Sequence, residues 1–317
     1  MPIKRGTTGL GSMFRGTTPL TKIYKGVNLL FQLITAVWYG DRGVFAGGVI
    51  TNVIDYISIP TPGNATDFGD LIAAEGVSGT SNGERGVIAG GGTNTNVIQY
   101  ITISTPSNAL DFGDLTVARY QLGACSDGSR GLFGGGQLNL TIDYITIATL
   151  GNAIDFGDIT VARSSGTTAC SNETYGVWAG GRVGGGGSNV IDYVTIQTLG
   201  NALDFGDLTL AREGAAGCSD NTRGVIAGGG YSSTNYDTID YITIATPGNA
   251  VDFGNTSVTR RAIEGGCSNG VYGLFAGGYT TAAVNTIDYV TIQTLGNAVD
   301  FGDTTVASYS KAGLSGN

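Results

Sequence analysis

The sequence predicts an all-β protein built from six copies of one repeat, and two spaced motifs predict it. An Ile-(Asp/Gln)-Tyr triplet occurs six times, and the middle residue of each is followed 12 positions later by the Asp of an Asp-Phe-Gly triplet. A fixed period of this kind marks a repeat architecture. The first triplets begin at Ile54, Ile98, Ile142, Ile191, Ile239 and Ile287, and the second at Asp67, Asp111, Asp155, Asp204, Asp252 and Asp300.

Each repeat has the pattern of four short strands. In the second copy we expect strands at 86–89, 97–104, 110–117 and 121–126, separated by turns rich in Gly, Pro, Ser and Asn. Residues 97–104 carry β-branched side chains on both faces, which is typical of a sheet packed on both sides. Four strands in about 46 residues form the blade of a β-propeller. The predicted fold is therefore a six-bladed β-propeller with four antiparallel strands per blade.

The ring has to close where the chain ends meet, because an open sheet edge invites pairing with other chains. The C-terminal residues 305–308 match 116–119, and Leu314-Ser315 then falls where Cys125-Ser126 falls in the third copy. We expect the C-terminus to supply the inner strand of the first blade. Residues 34–39 are the alternative.

The repeat resembles the kelch family. The resemblance is carried by Val44-Phe45-Ala46-Gly47-Gly48, by Tyr56 on the predicted third strand, and by Ala118-Arg119 before the next copy. Kelch repeats usually have a Trp after the Tyr, and this chain has Phe instead, at Phe68, Phe112, Phe156, Phe205, Phe253 and Phe301. The resemblance covers residues 40–317 and implies a kelch-like propeller, which we expect to occupy residues 34–317. Kelch-type propellers include both interaction scaffolds and oxidases, so it implies little about function.

Charge divides the chain into two parts. Residues 1–40 carry five basic side chains and no acidic one, whereas the rest of the chain has a net charge of −14. An acidic body repels phosphate backbones, so nucleic acid is not expected as a ligand. The apolar run 27–37 is too short to span a bilayer, which argues against membrane insertion. We expect residues 1–33 to be a basic arm that docks on an acidic protein surface.

Several kinds of site are excluded or disfavoured. The chain has no His, which removes Ser-His-Asp triads, Cys-His pairs and His-ligated metals. The kinase role of Asp-Phe-Gly needs a partner Lys and a catalytic loop that are missing. A carboxylate-based glycan hydrolase remains an alternative, but no carboxylate pair is unique among the repeats. We predict no catalytic residue, cofactor or metal site, and we expect Asp pairs such as Asp67/Asp70 to hold turns rather than calcium.

The four cysteines occupy equivalent positions of successive repeats. Such positions are normally too far apart for a disulfide, and no Cys-x-x-Cys spacing occurs. We expect four free thiols that act as small buried apolar groups. They are Cys125, Cys170, Cys218 and Cys267.

Loop length suggests where a ligand would bind. A third motif, Arg-Gly or Tyr-Gly, begins at Arg42, Arg85, Arg130, Tyr175, Arg223 and Tyr272. From its first residue to the middle residue of the Ile-(Asp/Gln)-Tyr triplet, the interval is 13, 14, 13, 17, 17 and 16 residues in the six copies. Insertions in one loop of each repeat lie on one face, which is often the binding face. The longest segments, 182–189, 231–238 and 279–286, are rich in Gly, Ser, Thr, Asn and Tyr, which suits a sugar or a protein surface. Turn filler in a diverging repeat is the alternative. The candidate ligand-facing residues are Arg182, Asn189, Tyr231, Asn235, Tyr236, Tyr279 and Thr280.

The arm carries a second resemblance. Phe14-Arg15-Gly16 with Leu20 and Tyr24-Lys25-Gly26 with Leu30 form a ten-residue pseudo-repeat. It resembles the N-terminal hairpin with which many tailed-phage structural proteins attach to the particle. The recurrent Gly-Asn-Ala-x-Asp-Phe-Gly-Asp, as at 151–158, is similar to repeats in phage tail and appendage proteins. The resemblance implies virion docking through Phe14, Arg15, Leu20, Lys22, Tyr24, Lys25, Leu29 and Leu30.

These features together suggest a virion structural protein of the tail or neck appendage type. Residues 1–33 would bind other virion structural proteins, and the propeller would bind a host surface glycan or protein. Many copies on one particle would strengthen weak contacts. A capsid decoration protein without a receptor role and a cellular kelch-type interaction adaptor are the alternatives.

Overall fold

The computed structural model describes residues 39–92 and 95–317 in full and, before them, the backbone of five short strands. The chain divides into two compact units, Met1–Val37 and Trp38–Asn317. All regular structure in the described residues is β-strand. None of it is a helix with the length and apolarity needed to cross a bilayer.

The N-terminal unit contains the expected hairpins. One three-stranded sheet is formed by Lys4–Arg5, Met13–Arg15 and Thr18–Pro19, and a separate antiparallel pair by Lys22–Lys25 and Asn28–Gln32. Each copy of the aromatic-basic pseudo-repeat ends a strand, with Arg15 paired to Thr18 and Lys25 paired to Asn28. Leu20 lies outside the described residues.

The second unit is the predicted six-bladed propeller, with four antiparallel strands in each blade. From the inner strand outward, the first three blades are Ala312–Gly316, Arg42–Ala46, Val53–Ser58, Thr66–Asp70; Ser78–Ser81, Arg85–Ala89, Val97–Thr102, Leu110–Asp114; and Gly123–Ser126, Arg130–Gly134, Asn139–Thr146, Ile154–Arg163. The last three are Thr168–Ser171, Tyr175–Ala179, Gly186–Thr195, Leu203–Arg212; Ala216–Ser219, Arg223–Ala227, Thr238–Thr243, Val251–Asn255; and Gly265–Ser268, Tyr272–Ala276, Thr286–Thr291, Val299–Asp303. Three two-residue strands lie in connecting loops: Arg182–Val183, Gly230–Tyr231 and Thr234–Asn235.

The C-terminus closes the ring. Ala312–Gly316 is antiparallel to Arg42–Ala46 in the first blade, with Leu314 opposite Val44. Of the two candidates for this place, the C-terminal strand therefore forms it; residues 34–38 lie outside the described part of the chain. The Asn317 side chain accepts a hydrogen bond from the Asp41 backbone at 3.0 Å.

The hydrophobic core lies between the blades. Six clusters of buried apolar side chains exist, and each contains residues from two neighbouring blades. One example combines Val44 and Phe68 of the first blade with Ile88 and Ile101 of the second. A single blade consequently has no core of its own, as expected for a repeat that buries its faces only against its neighbours.

A ring of serines joins the six inner strands near their C-terminal ends. Each hydroxyl donates to the carbonyl oxygen of the equivalent serine in the preceding blade, at 2.6–2.7 Å. The circle is complete because the C-terminal strand contributes the sixth member. Its members are Ser81, Ser126, Ser171, Ser219, Ser268 and Ser315.

The four cysteines are free and buried, which confirms their predicted role. Each sulfur faces the Gly of the Arg-Gly or Tyr-Gly motif in the next blade. These glycines are Gly43, Gly176, Gly224 and Gly273. A Cβ atom at Gly224 would lie 2.5 Å from Cys170 Sγ, closer than real Cβ atoms approach. Burial raises the pKa of Cys170 to about 12, so this thiol stays protonated and unreactive at neutral pH. In four of the six blades the repeated Gly is therefore explained by the space that the neighbouring thiol occupies; Leu314 and Thr80 occupy the corresponding space at Gly86 and Gly131.

At the rim, the Asn-Ala turn of each blade holds the outer strand of the preceding one. The Asp114 amide donates to Asn152 Oδ1 at 3.1 Å, and its carbonyl accepts from the Ala153 amide at 2.8 Å. Equivalent contacts occur at all six interfaces. The second Asp of each pair therefore takes part in these turn contacts through its backbone, with the Asn side chain as its partner, and Asn255 takes its place in the fifth blade.

Gly224→Ala should destabilise the protein by about 1–3 kcal/mol, because the new methyl overlaps the Cys170 sulfur. Thermal unfolding followed by circular dichroism measures this change. Gly63→Ala is the matched control, since no atom lies within 4 Å of a Cβ there. Adding Cys170→Ala to Gly224→Ala should restore part of the loss; an unchanged melting temperature in Gly224→Ala would contradict the explanation.

Candidate ligand-binding face

One face of the propeller carries two sets of loops. The 2–3 loops join the second and third strands of a blade, and the exit loops join an outer strand to the inner strand of the next blade. Antiparallel topology places both sets at the same end of the strands, which we call the loop face. All nine non-glycine residues with positive φ, among the described residues, lie in these loops. They are Ile50, Glu75, Gln121, Gln137, Leu138, Ser232, Ala262, Glu264 and Ser310.

Buried ion pairs anchor most of the exit loops. In four interfaces an Arg that ends the outer strand or lies within the exit loop contacts the third-strand Asp of the next blade. The Nη2–Oδ2 distances are 2.5–3.1 Å, and neither side chain has exposed surface. In one of them, Asp143 also accepts hydrogen bonds from the Thr116 hydroxyl and amide. Burial raises the pKa of Asp143 and lowers that of Arg119, although each ion favours the charged form of the other. The pairs are Arg119–Asp143, Arg163–Asp192, Arg212–Asp240 and Arg260–Asp288.

The other two interfaces lack this Arg–Asp pair. In the second blade Gln99 replaces the Asp, and Glu75 of the preceding exit loop stands where four other loops have Arg. Gln99 instead accepts from the Ile72 amide at 2.7 Å and donates to the Ala73 carbonyl at 2.6 Å. In the first blade, buried Lys311 is the cation that favours the charged form of Asp55. The carboxylate is therefore absent only where the cation is absent too.

Asp143→Asn should destabilise the protein by about 3–5 kcal/mol, because it leaves the buried Arg119 charge without a counterion. Urea unfolding measures the change. The double variant Arg119→Met/Asp143→Leu removes both charges and should cost less than the single one. We call each of these buried Arg–Asp ion pairs a latch, because it joins an exit loop to the next blade. Equal stability of Asp143→Asn and the wild type would show that the Arg119–Asp143 pair does not stabilise this interface.

A narrow channel runs along the propeller axis. It encloses about 70 Å³ and is lined by the six inner strands, with small residues such as Gly217, Gly266 and Gly313 against one another's backbone. That volume suits a few waters and not a sugar ring or a peptide. Glu264 is a carboxylate among the residues that line it.

Glu264 is held partly buried in the exit loop between the fifth and sixth blades. Burial raises its pKa to about 7, and the charge of Glu213 acts in the same direction, whereas a hydrogen bond with Ser310 opposes them. Since the folded pKa exceeds the ordinary value of 4.5, folding favours the neutral form. The stabilising contribution is present below that ordinary value and is lost as pH rises through about 7.

Glu264→Gln keeps the side chain neutral at every pH. The melting temperature of the wild type should therefore fall relative to this variant as pH rises from about 5 to about 8. Differential scanning calorimetry across this range measures the difference. Glu84→Gln, in an exposed turn, is the control and should follow the wild type. A difference between wild type and Glu264→Gln that does not change with pH would refute the assignment.

The long 2–3 loops of the fifth and sixth blades brace one another. Asn235 donates to the Thr280 carbonyl at 3.2 Å, and Arg261 donates to Asn235 Oδ1 at 3.4 Å. Arg261 also lies 5.1 Å above the Tyr279 ring, which meets the Tyr309 ring edge-on at 5.4 Å. Three of the candidate residues thus belong to one cluster on the loop face.

Of the remaining candidates, Tyr231 and Tyr236 lie in the same hairpin as Asn235, and Arg182 and Asn189 lie in the fourth blade. Tyr231 is in a two-residue hairpin strand, and the Tyr236 amide donates to the Gly229 carbonyl at 2.8 Å. In the fourth blade, Arg182 exchanges backbone hydrogen bonds with Ser164 and Ser165, and Asn189 lies in the third strand.

A groove of about 530 Å³ opens on the other side of the loop face, beside the short 2–3 loops of the first three blades. Its described lining residues include Val49, Glu75, Tyr120, Gln121, Gln137 and Ser310. The loop-length pattern did not predict this site. An alignment of the repeats could have found it, because Gln121 and Ser310 stand where the equivalent exit loops have Gly76, Gly166 and Gly214.

Within the part of the chain that the structure describes, no group of three or more Asp, Glu or Cys is placed to hold a metal ion. No protein-family model matches the chain, and no curated protein is detectably similar to it. The fold and the loop face are therefore the grounds on which a function is proposed.

Proposed function

We propose that the protein is a virion structural protein that docks through residues 1–33 and uses the loop face of its propeller to recognise a host surface glycan or protein. The observation that carries this proposal is the one-sided distribution of irregular structure. Nine non-glycine residues adopt positive φ, and all of them lie on the loop face. Such conformations cost of order 1–3 kcal/mol each and collect at functional sites.

The two-part organisation supports the docking role. A basic unit of short β-hairpins precedes an acidic propeller, and the two are separate compact units. The kelch-like and tailed-phage resemblances add the tail or neck appendage setting to this proposal.

Deleting residues 1–33 should leave a propeller with an unchanged melting temperature that is no longer incorporated into particles. Incorporation is measured by quantitative mass spectrometry of purified virions. The matched control replaces the basic residues Lys22 and Lys25 by Gln and should reduce incorporation without abolishing the fold. Full incorporation of the deletion variant would refute the docking role. Absence of the wild-type protein from virions would favour a cellular adaptor, and incorporation without host binding would favour capsid decoration.

A further inference from the structure

We propose that the groove between the first three blades is a binding site for an uncharged saccharide; this inference rests on the proposed recognition role. The groove has a volume within the range of small-molecule sites. It is built from three 2–3 loops and three exit loops. The axial channel is too narrow for such a ligand, and the long loops opposite fill their own space with mutual contacts.

Backbone strain is concentrated around this groove. Four of its lining residues, Glu75, Gln121, Gln137 and Ser310, have φ between 53° and 69°. Two further residues of this kind, Ile50 and Leu138, are sequence neighbours of lining residues and are largely exposed. Positive φ is a genuine outlier for a β-branched residue such as Ile. Six of the nine strained residues therefore surround one site.

At two of these positions, Gln121 and Ser310, the chain keeps a side chain where other exit loops have glycine. The residue two places before each of these inner strands is bonded to its equivalent in another exit loop. The Gln121 backbone amide donates to the Gly76 carbonyl at 2.7 Å, and the Gly214 amide donates to the Gly166 carbonyl at 3.0 Å. Glycine adopts the required conformation without cost. A side chain kept there despite the cost indicates a use for that side chain: Gln121 lines the groove, and the buried Ser310 hydroxyl accepts a hydrogen bond from its amide at 3.5 Å.

A neighbouring turn shows the same choice. The Asn139 amide donates to the Gly136 carbonyl at 2.9 Å, and Gln137 and Leu138 between them both have positive φ, as in a type I′ turn. Such turns strongly favour Asn, Asp and Gly at both central positions. Gln-Leu here breaks a local rule, which is expected where function outweighs stability.

The chemistry of the lining selects the ligand. Glu75 and Gln121 offer a carboxylate and an amide, and Tyr120 offers an aromatic face. The Ser310 hydroxyl is buried and accepts a hydrogen bond from Gln121 Nε2 at 3.5 Å, which positions the Gln121 amide. Amides both donate and accept, which matches sugar hydroxyls, and an aromatic ring packs against the apolar face of a pyranose. No Lys or Arg occurs among the described lining residues, and the body of the protein is acidic. Anionic sugars are therefore disfavoured.

The test begins with a printed array of uncharged and anionic bacterial oligosaccharides, probed with the full-length protein. Titration calorimetry then measures the affinity for the best uncharged oligosaccharide. Gln121→Gly should weaken binding at least tenfold and also raise the melting temperature by about 2 °C, because it removes strain. Glu75→Gln should weaken binding several-fold, since it replaces the carboxylate acceptor and keeps the shape.

Ala262→Gly is the matched control, because Ala262 has φ of 51° but lies outside the groove. It should raise the melting temperature and leave the affinity unchanged. Saccharide binding that Gln121→Gly does not alter, or a preference for anionic sugars, would overturn the inference. Host-cell binding without any saccharide binding would also overturn it, while the recognition role would stand. Failure of the protein to bind host cells at all would instead count against the proposed function.

Discussion

Every blade depends on its neighbours for its core, and this constraint governs the rest of the structure. The apolar clusters straddle the interfaces, the serine hydroxyls bridge successive inner strands, and each cysteine sulfur fills the space above the glycine of the next blade. No contact of this kind can be made by one repeat in isolation. The C-terminal strand is therefore as important as any internal one, because Ser315 and Leu314 complete the circle that all six interfaces share.

The same constraint explains how far the sequence alone could reach. Strand positions follow from alternating apolar residues and turn residues, which are local, so the six blades and the C-terminal closure could be predicted. The serine ring and the Arg–Asp latches connect residues in different repeats, and their geometry exists only in the closed ring. A signal for the latch was nevertheless present: Glu75 and Gln99 change together, as the loss of one member of an ion pair requires. Without the fold, nothing indicated that these two positions meet.

The longest loops do not border the groove. The long loops of the fifth and sixth blades were the natural candidates, yet Asn235, Arg261 and Tyr279 are engaged with one another. The short loops leave the larger opening, because less chain covers the exit loops beneath them. In a ring of equal blades, a ligand site can arise from missing chain as readily as from added chain. Backbone strain is more concentrated at the short loops, because six of the nine non-glycine residues with positive φ border the groove and only Ser232 lies in a long 2–3 loop.

The interface between the first and second blades lacks the Arg–Asp ion pair and also borders the groove, and the two facts are connected. At the exit from the first blade, the position that buries an Arg against an Asp in four other loops holds Glu75, whose exposed side chain lines the groove. A carboxylate there could not pair with a third-strand Asp, so the neighbouring blade needs the neutral Gln99, which hydrogen-bonds to the loop backbone. The exchange gives up one buried ion pair, whose net contribution to stability is small once desolvation is counted. It frees one carboxylate for the loop face. A symmetric ring can therefore accommodate an asymmetric site at little cost in stability, provided that both members of the latch change together.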